Sequence, residues 1–92
     1  MKIAIEIVNA LMCGETVHGS GYQVYCEGSK ALSQLFIGHN IVGAFYHENG
    51  CPAPDGIGAK KGAFISIGLK DRNTNRILNA VKKEILKRQN NA

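Results

Sequence analysis

Two His/Cys pairs are the most reactive-looking groups in this chain. Cys13-x₄-His18 and His47-x₃-Cys51 together supply the ligand set of a Cys₂His₂ zinc site. The spacings are irregular, and residues 19–46 separate the pairs. Free thiols in or near a core are therefore the expectation, with no metal and no cofactor. Cys51 beside His47 also has the makings of a nucleophile and a base. No third residue is in place to orient the imidazole, so no catalytic residue is assigned and an enzyme is not expected.

A third candidate is Gly56-Ile57-Gly58-Ala59-Lys60-Lys61-Gly62. Successive backbone N–H groups in such a loop can form an anion nest. The segment is not G-x-x-x-x-G-K-[ST], and it precedes a predicted strand rather than a helix. It reads as a flexible hairpin-like connection, with contact to a nucleic-acid backbone as the functional alternative.

The fourth candidate is charge. From Lys60 onward stand nine cations, Lys60, Lys61, Lys70, Arg72, Arg76, Lys82, Lys83, Lys87 and Arg88, against Asp71 and Glu84, a balance of +7. The first 59 residues carry Lys2 and Lys30 against five carboxylates, a balance of −3, and the two account for the net +4. A field this lopsided points to a polyanionic or mixed-charge partner. The residues assigned to partner binding are Lys60, Lys61, Arg72, Arg76, Lys82, Lys83 and Lys87. Arg offers bidentate geometry to phosphates and carboxylates, and Lys a mobile point charge. The plain alternative is a solvated helix face, with Lys87 and Arg88 favourably placed at the negative end of the helix dipole.

These residues must be held by a small scaffold. Ninety-two residues make one domain, 1–92, with room for one modest core. An apolar fraction of 45%, with only two prolines, argues against disorder. No apolar run approaches the roughly 20 residues that cross a bilayer, so no membrane partner is expected. The opening MKIAIEIVNALM has one Lys ahead of an apolar stretch, but Glu6 interrupts it and no A-x-A site follows, so it reads as mature structure. Three cysteines without a short disulfide-type spacing fit a reducing cytoplasm.

The predicted fold class is α+β: an antiparallel sheet of three to four strands with an N-terminal helix (or strand) and a C-terminal amphipathic helix. Ile3, Ile5 and Ile7 alternate as in a strand. Lys2, Glu6 and Asn9, however, step by four and three, leaving Ile3, Ala4, Ile7, Val8 and Leu11 on one helical face, and Gly14 can stop that helix. GYQVYCEG and IVGAFYHENG read as strands. KALSQLFIG reads as a strand or a short helix capped by Ser29. The stretch NGCPAPDGIGAKKG is a loop. AFISIGL is a strand with Ile65, Ile67 and Leu69 on one side and Phe64, Ser66 and Gly68 on the other. Residues 75–89 contain no Gly or Pro, and Asp71, Asn73 or Thr74 can cap them. On that helix Ile77, Leu78, Val81 and Ile85 share a sector, and Ile77, Val81 and Ile85 are expected to pack on the sheet. Arg72, Arg76, Lys83 and Lys87 lie opposite, and Leu86 falls off the apolar sector toward the basic one.

Tyr22, Tyr25, Phe36, Phe45, Tyr46 and Phe64 all fall on predicted strands. Rings on an exposed sheet can stack bases, but no RNA-recognition signature is present, and most are expected in the core or as cross-strand partners.

The chain as a whole resembles the small phage-encoded anti-CRISPR proteins, inhibitors of type I-F surveillance complexes. The resemblance lies in MKIAIEIVNALMCGETVHGSGYQVY, LFIGHNIVGAFYHENGCPAPDGIG and RILNAVKKEILKRQNNA, and in the length. It implies a non-enzymatic protein acting in the cytoplasm of an infected bacterium. Such a protein binds Cas proteins of the surveillance complex, its guide RNA or the target DNA path, and obstructs DNA binding or hybridisation. Many members are acidic DNA mimics, and the positive balance here departs from that pattern. A small basic nucleic-acid-binding regulator is the alternative.

Overall fold

The computed structural model describes residues 1–26, 31–48, 60–67 and 71–90. Cys51, Lys30, Lys70, Ser29, Gly68, Leu69 and the Gly56–Ala59 part of the candidate nest lie outside the described residues. Over the described residues the architecture is a helix (α1, Lys2–Cys13), five strands (β1, Val17–His18; β2, Tyr22–Cys26; β3, Leu32–Ile37; β4, Asn40–Tyr46; β5, Phe64–Ser66) and a second helix (α2, Arg72–Asn90). The strands form one antiparallel meander in the order β1-β2-β3-β4-β5. The fold class is thus the α+β domain expected, with one strand more than the three to four anticipated.

The helical reading of residues 1–13 holds. Ala4, Ile7, Val8, Ala10 and Leu11 are buried, whereas Ile5, the middle member of the apparent strand alternation, is exposed. Gly14 ends the helix in the left-handed region at φ 69°. The Gly14 N–H donates to the Leu11 carbonyl and the Glu15 N–H to the Ala10 carbonyl, which is the Schellman arrangement.

KALSQLFIG resolves as strand β3, paired with β2 and β4. Its register with β4 slips at one point: Leu35 faces Gly43, but Phe36 faces Ile41. Val42 is the extra residue of this bulge and turns into the core along with Phe45, three positions away. On β5 the expected alternation is present, and it is Phe64 that packs toward the main core. Ile65 joins Tyr46, Leu32 and Ala44 in a smaller cluster of its own.

The structure corrects the placement of α2. Its buried residues are Thr74, Leu78, Val81 and Ile85, and Ile77 is only half-buried. The helix lies mainly against α1 and meets the sheet at β5, rather than lying across the sheet. The cause is that α1 already covers β2 and β3, so α2 takes the flank. The main core results, in which Ile7, Val8 and Leu11 meet Val24, Leu35, Phe45, Leu78, Val81 and Ile85.

Candidate interaction surface

Residue Asp71 sets the start of α2. Its carboxylate accepts from Thr74 Oγ1 at 2.6 Å and from the Asn73 backbone N–H at 3.3 Å. The Thr74 hydrogen bond, first, and that from Asn73 hold the Asp71 carboxyl below its ordinary value. With the helix so begun and Leu78, Val81 and Ile85 turned inward, the opposite face is fixed. Arg72, Arg76, Lys83 and Lys87 all stand exposed along it. Fifteen helical steps of 1.5 Å from Arg72 to Lys87 make this band roughly 22 Å long. Within α2 the one carboxylate is Glu84, and Arg88 Nε holds it at 2.9 Å. Arg88 is thereby neutralised, while no acidic residue of α2 lies among the four outward cations.

The remaining three assigned residues are set apart from this band. Lys82 is exposed on the flank of α2 that faces β5. Lys60 and Lys61 are exposed in a turn closed by the Ala63 N–H donating to the Lys60 carbonyl at 3.0 Å. That turn is tied to the far end of α2, because Gln89 Nε2 donates to the Gly62 carbonyl at 2.6 Å. Gly62 has φ 86°, and a Cβ there would sit 3.3 Å from Gln89 Nε2, so glycine suits both the backbone and the clasp. Between the turn and the helix lies a cleft of about 330 Å³, walled by Ala63, Phe64, Ile85 and Leu86, with Lys82 at its side. The seven assigned cations thus form two groups: an outward band, and a rim beside an apolar cleft. The cleft itself escaped sequence reasoning. The one signal for it was Leu86 falling off the apolar sector, and Leu86 is 58% exposed.

Cys51 lies outside the described residues, so of the two His/Cys pairs only Cys13, His18 and His47 can be placed. Cys13 and His18 are exposed, with His18 on strand β1 opposite Gln23. Among those residues no group of three or more His, Cys, Asp or Glu side chains converges to hold a metal. His47 instead shares a 2.7 Å hydrogen bond between its Nε2 and Ser33 Oγ, and packs edge-on to Phe45 with ring centroids 5.2 Å apart. Burial depresses the His47 pKa, against a smaller upward pull from Glu48. Ser33 is fully buried, so its hydroxyl is out of a substrate's reach and the pair reads as a tie between β3 and the end of β4. Cys26 lies nearby. The Cβ that Gly14 lacks would be 3.6 Å from Cys26 Sγ and 3.8 Å from His47 Nε2.

Of the six rings, Tyr22, Phe45 and Tyr46 are buried, and Tyr25 is the one most exposed. The sheet therefore offers no row of free rings for base stacking. No helix among the described residues is long and apolar enough to cross a membrane. Comparison with protein-family models, curated proteins and solved structures finds no match, so geometry alone speaks for the basic surface.

Proposed function

We propose that this chain is a non-enzymatic binding protein whose main contact is the outward face of α2. We further propose, following the resemblance in sequence, that its target is the type I-F Cas protein–guide RNA surveillance complex, whose binding or hybridisation of target DNA it blocks. The observation that carries the reading is the band of Arg72, Arg76, Lys83 and Lys87. All four are exposed, all lie opposite the buried stripe, and the helix's own carboxylate is occupied by Arg88. Such a band can meet phosphates or carboxylates without disturbing the core. Glu6, Glu15 and Glu48 stand exposed on the rest of the molecule. They repel a bare polyanion, which favours a mixed protein–RNA surface over plain duplex.

The test is capture of a reconstituted type I-F complex, with free DNA and free guide RNA as parallel baits. Arg76→Glu/Lys83→Glu should abolish capture and inhibition while the melting temperature stays near that of the parent chain. Parent-like capture by that double variant would move the contact surface elsewhere. Tight, salt-sensitive binding of free nucleic acid in place of the complex would favour the regulator reading.

A further inference from the structure

We propose that the cleft between α2 and β5 is a docking site for an acidic protein segment that carries an apolar anchor residue. The proposal rests on the reading of this chain as a binding protein, and it names a second contact, chemically different from the outward band.

Three observations fit together. The first is the floor. Ile85 and Phe64 belong to the core or pack against it, yet Leu86 beside them is the most exposed large apolar side chain among the described residues. A Leu on the outer part of a helix whose neighbours are Lys82, Lys83 and Lys87 gains nothing from water, and a partner's apolar side chain placed on it would remove apolar surface of both from water. The second is the rim. Lys82 lines the cleft, and the exposed Lys60–Lys61 turn leads into it, whereas no carboxylate lines it among the described residues. Charge complementarity therefore selects carboxylates. The third is the construction. The Gln89–Gly62 hydrogen bond fixes the Lys60–Ala63 turn against α2, so the cleft wall from Gly62 to Phe64, with the Lys60–Lys61 turn leading into it, is set beside Lys82 before a partner arrives. A contact surface positioned in advance loses less freedom on binding.

Protein is favoured over nucleic acid because of the floor. Its one ring, Phe64, is committed: its Cζ lies 2.7 Å from where a Cβ of Gly43 would be, so the ring lies over the bare backbone of β4. No ring is left to stack a base, and a sugar–phosphate backbone would leave Leu86 wet. A volume of about 330 Å³ is at the small end of ligand clefts and suits a few side chains of a partner.

The test uses the full chain and a short fluorescein-labelled peptide of alternating glutamate and leucine, read by fluorescence anisotropy. The comparison probes are the same peptide with serine for leucine and a single-stranded oligonucleotide of equal charge. Saturable binding of the leucine peptide is expected, weakened about tenfold by Leu86→Ser or Lys82→Glu, both exposed positions. The serine peptide should bind about tenfold more weakly, and Arg76→Glu/Lys83→Glu should change peptide affinity less than about threefold. Failure to saturate, indifference to Leu86→Ser, equal binding of the serine peptide, or displacement of the peptide by the oligonucleotide each overturns the proposal. The surveillance complex takes no part in this measurement. A failure here therefore leaves the outward band to be judged by complex capture, and loss of capture with peptide binding intact separates the two surfaces in the other direction.

Discussion

Replacing Val81 tests how α2 is held. Val81 is fully buried, one of three aliphatic residues through which α2 enters the core shared with α1. Val81→Ala removes two methyl groups from a packed site and should cost roughly 1.5–3 kcal/mol, the transfer loss plus a partly collapsed cavity. For a domain of this size that is a fall in Tm of roughly 6–24 °C. Val81→Asp adds the burial of a carboxylate with no cation in the core to meet it, several kcal/mol more. A domain of this length has total stability of roughly 5–14 kcal/mol, so the Asp variant should be largely unfolded at room temperature. Circular dichroism through a thermal ramp distinguishes these outcomes, with Lys83→Asp on the exposed face as the control expected to stay within about 0.5 kcal/mol of the parent. A Val81→Asp protein melting within a few degrees of the parent would refute the placement of α2, and with it the claim that its cations face outward.

Other consequences are open to measurement. In Gly19→Ala the new methyl group would collide with the Tyr22 ring, which donates to Glu6 Oε2 at 3.3 Å; we expect a loss of roughly 1–3 kcal/mol in urea unfolding, and a Tyr22 titration that moves down toward its ordinary value as burial and the Glu6 charge cease to raise it. The lowered Asp71 pKa means that its contribution to α2 is complete above the unfolded carboxylate pKa and is lost as pH falls through the folded one; Asp71→Asn should flatten that acid limb of a stability–pH curve. His47 behaves in the same sense near neutrality: with its folded pKa below 6.5, stability is intact above that value and declines as pH drops beneath it, and His47→Gln should remove the decline. Glu84→Gln releases Arg88 while costing only about 0.3–0.5 kcal/mol, so it should tighten binding to a polyanionic partner in a salt titration without a marked change in Tm.

How far the sequence could be read depended on the distance over which each feature is determined. The helices were legible because Ala4, Ile7, Val8 and Leu11, and later Leu78, Val81 and Ile85, carry their period within a dozen residues. Gly14 marks its own stop. Strand β1 was missed because Val17–His18 is two residues long and is a strand only by virtue of Val24 and Gln23 across from it. The bulge at Val42 was equally out of reach, since strict alternation would set Val42 against Phe45 and only the pairing with β3 brings both inward. At the candidate surface the outward band follows from helical spacing alone. The separation of Lys60, Lys61 and Lys82 into a second group depends on the Gln89–Gly62 hydrogen bond, which spans 27 positions. The Ser33 partner of His47 was out of reach for a similar reason: strand register sets it, and no local spacing announces it.

The packing of α2 on α1 also bears on the order of assembly. The meander grows from neighbours, each strand pairing with the next; β1 to β4 are joined by short connections, and only β5 is reached by a longer one, residues 47–63. The helix pair instead joins residues 2–13 to residues 72–90, the longest loop in the molecule to close. During synthesis Val8 and Leu11 emerge well before Leu78 and Val81, with which they share the core. The chain therefore passes through a stage with an apolar stripe uncovered and its cationic helix still unmade. In the finished protein the reverse step, α2 lifting away, would uncover Leu78, Val81 and Ile85. The proposed contact surface rides on the last element to be made, so a ligand that grips α2 in its docked position would also stabilise the fold.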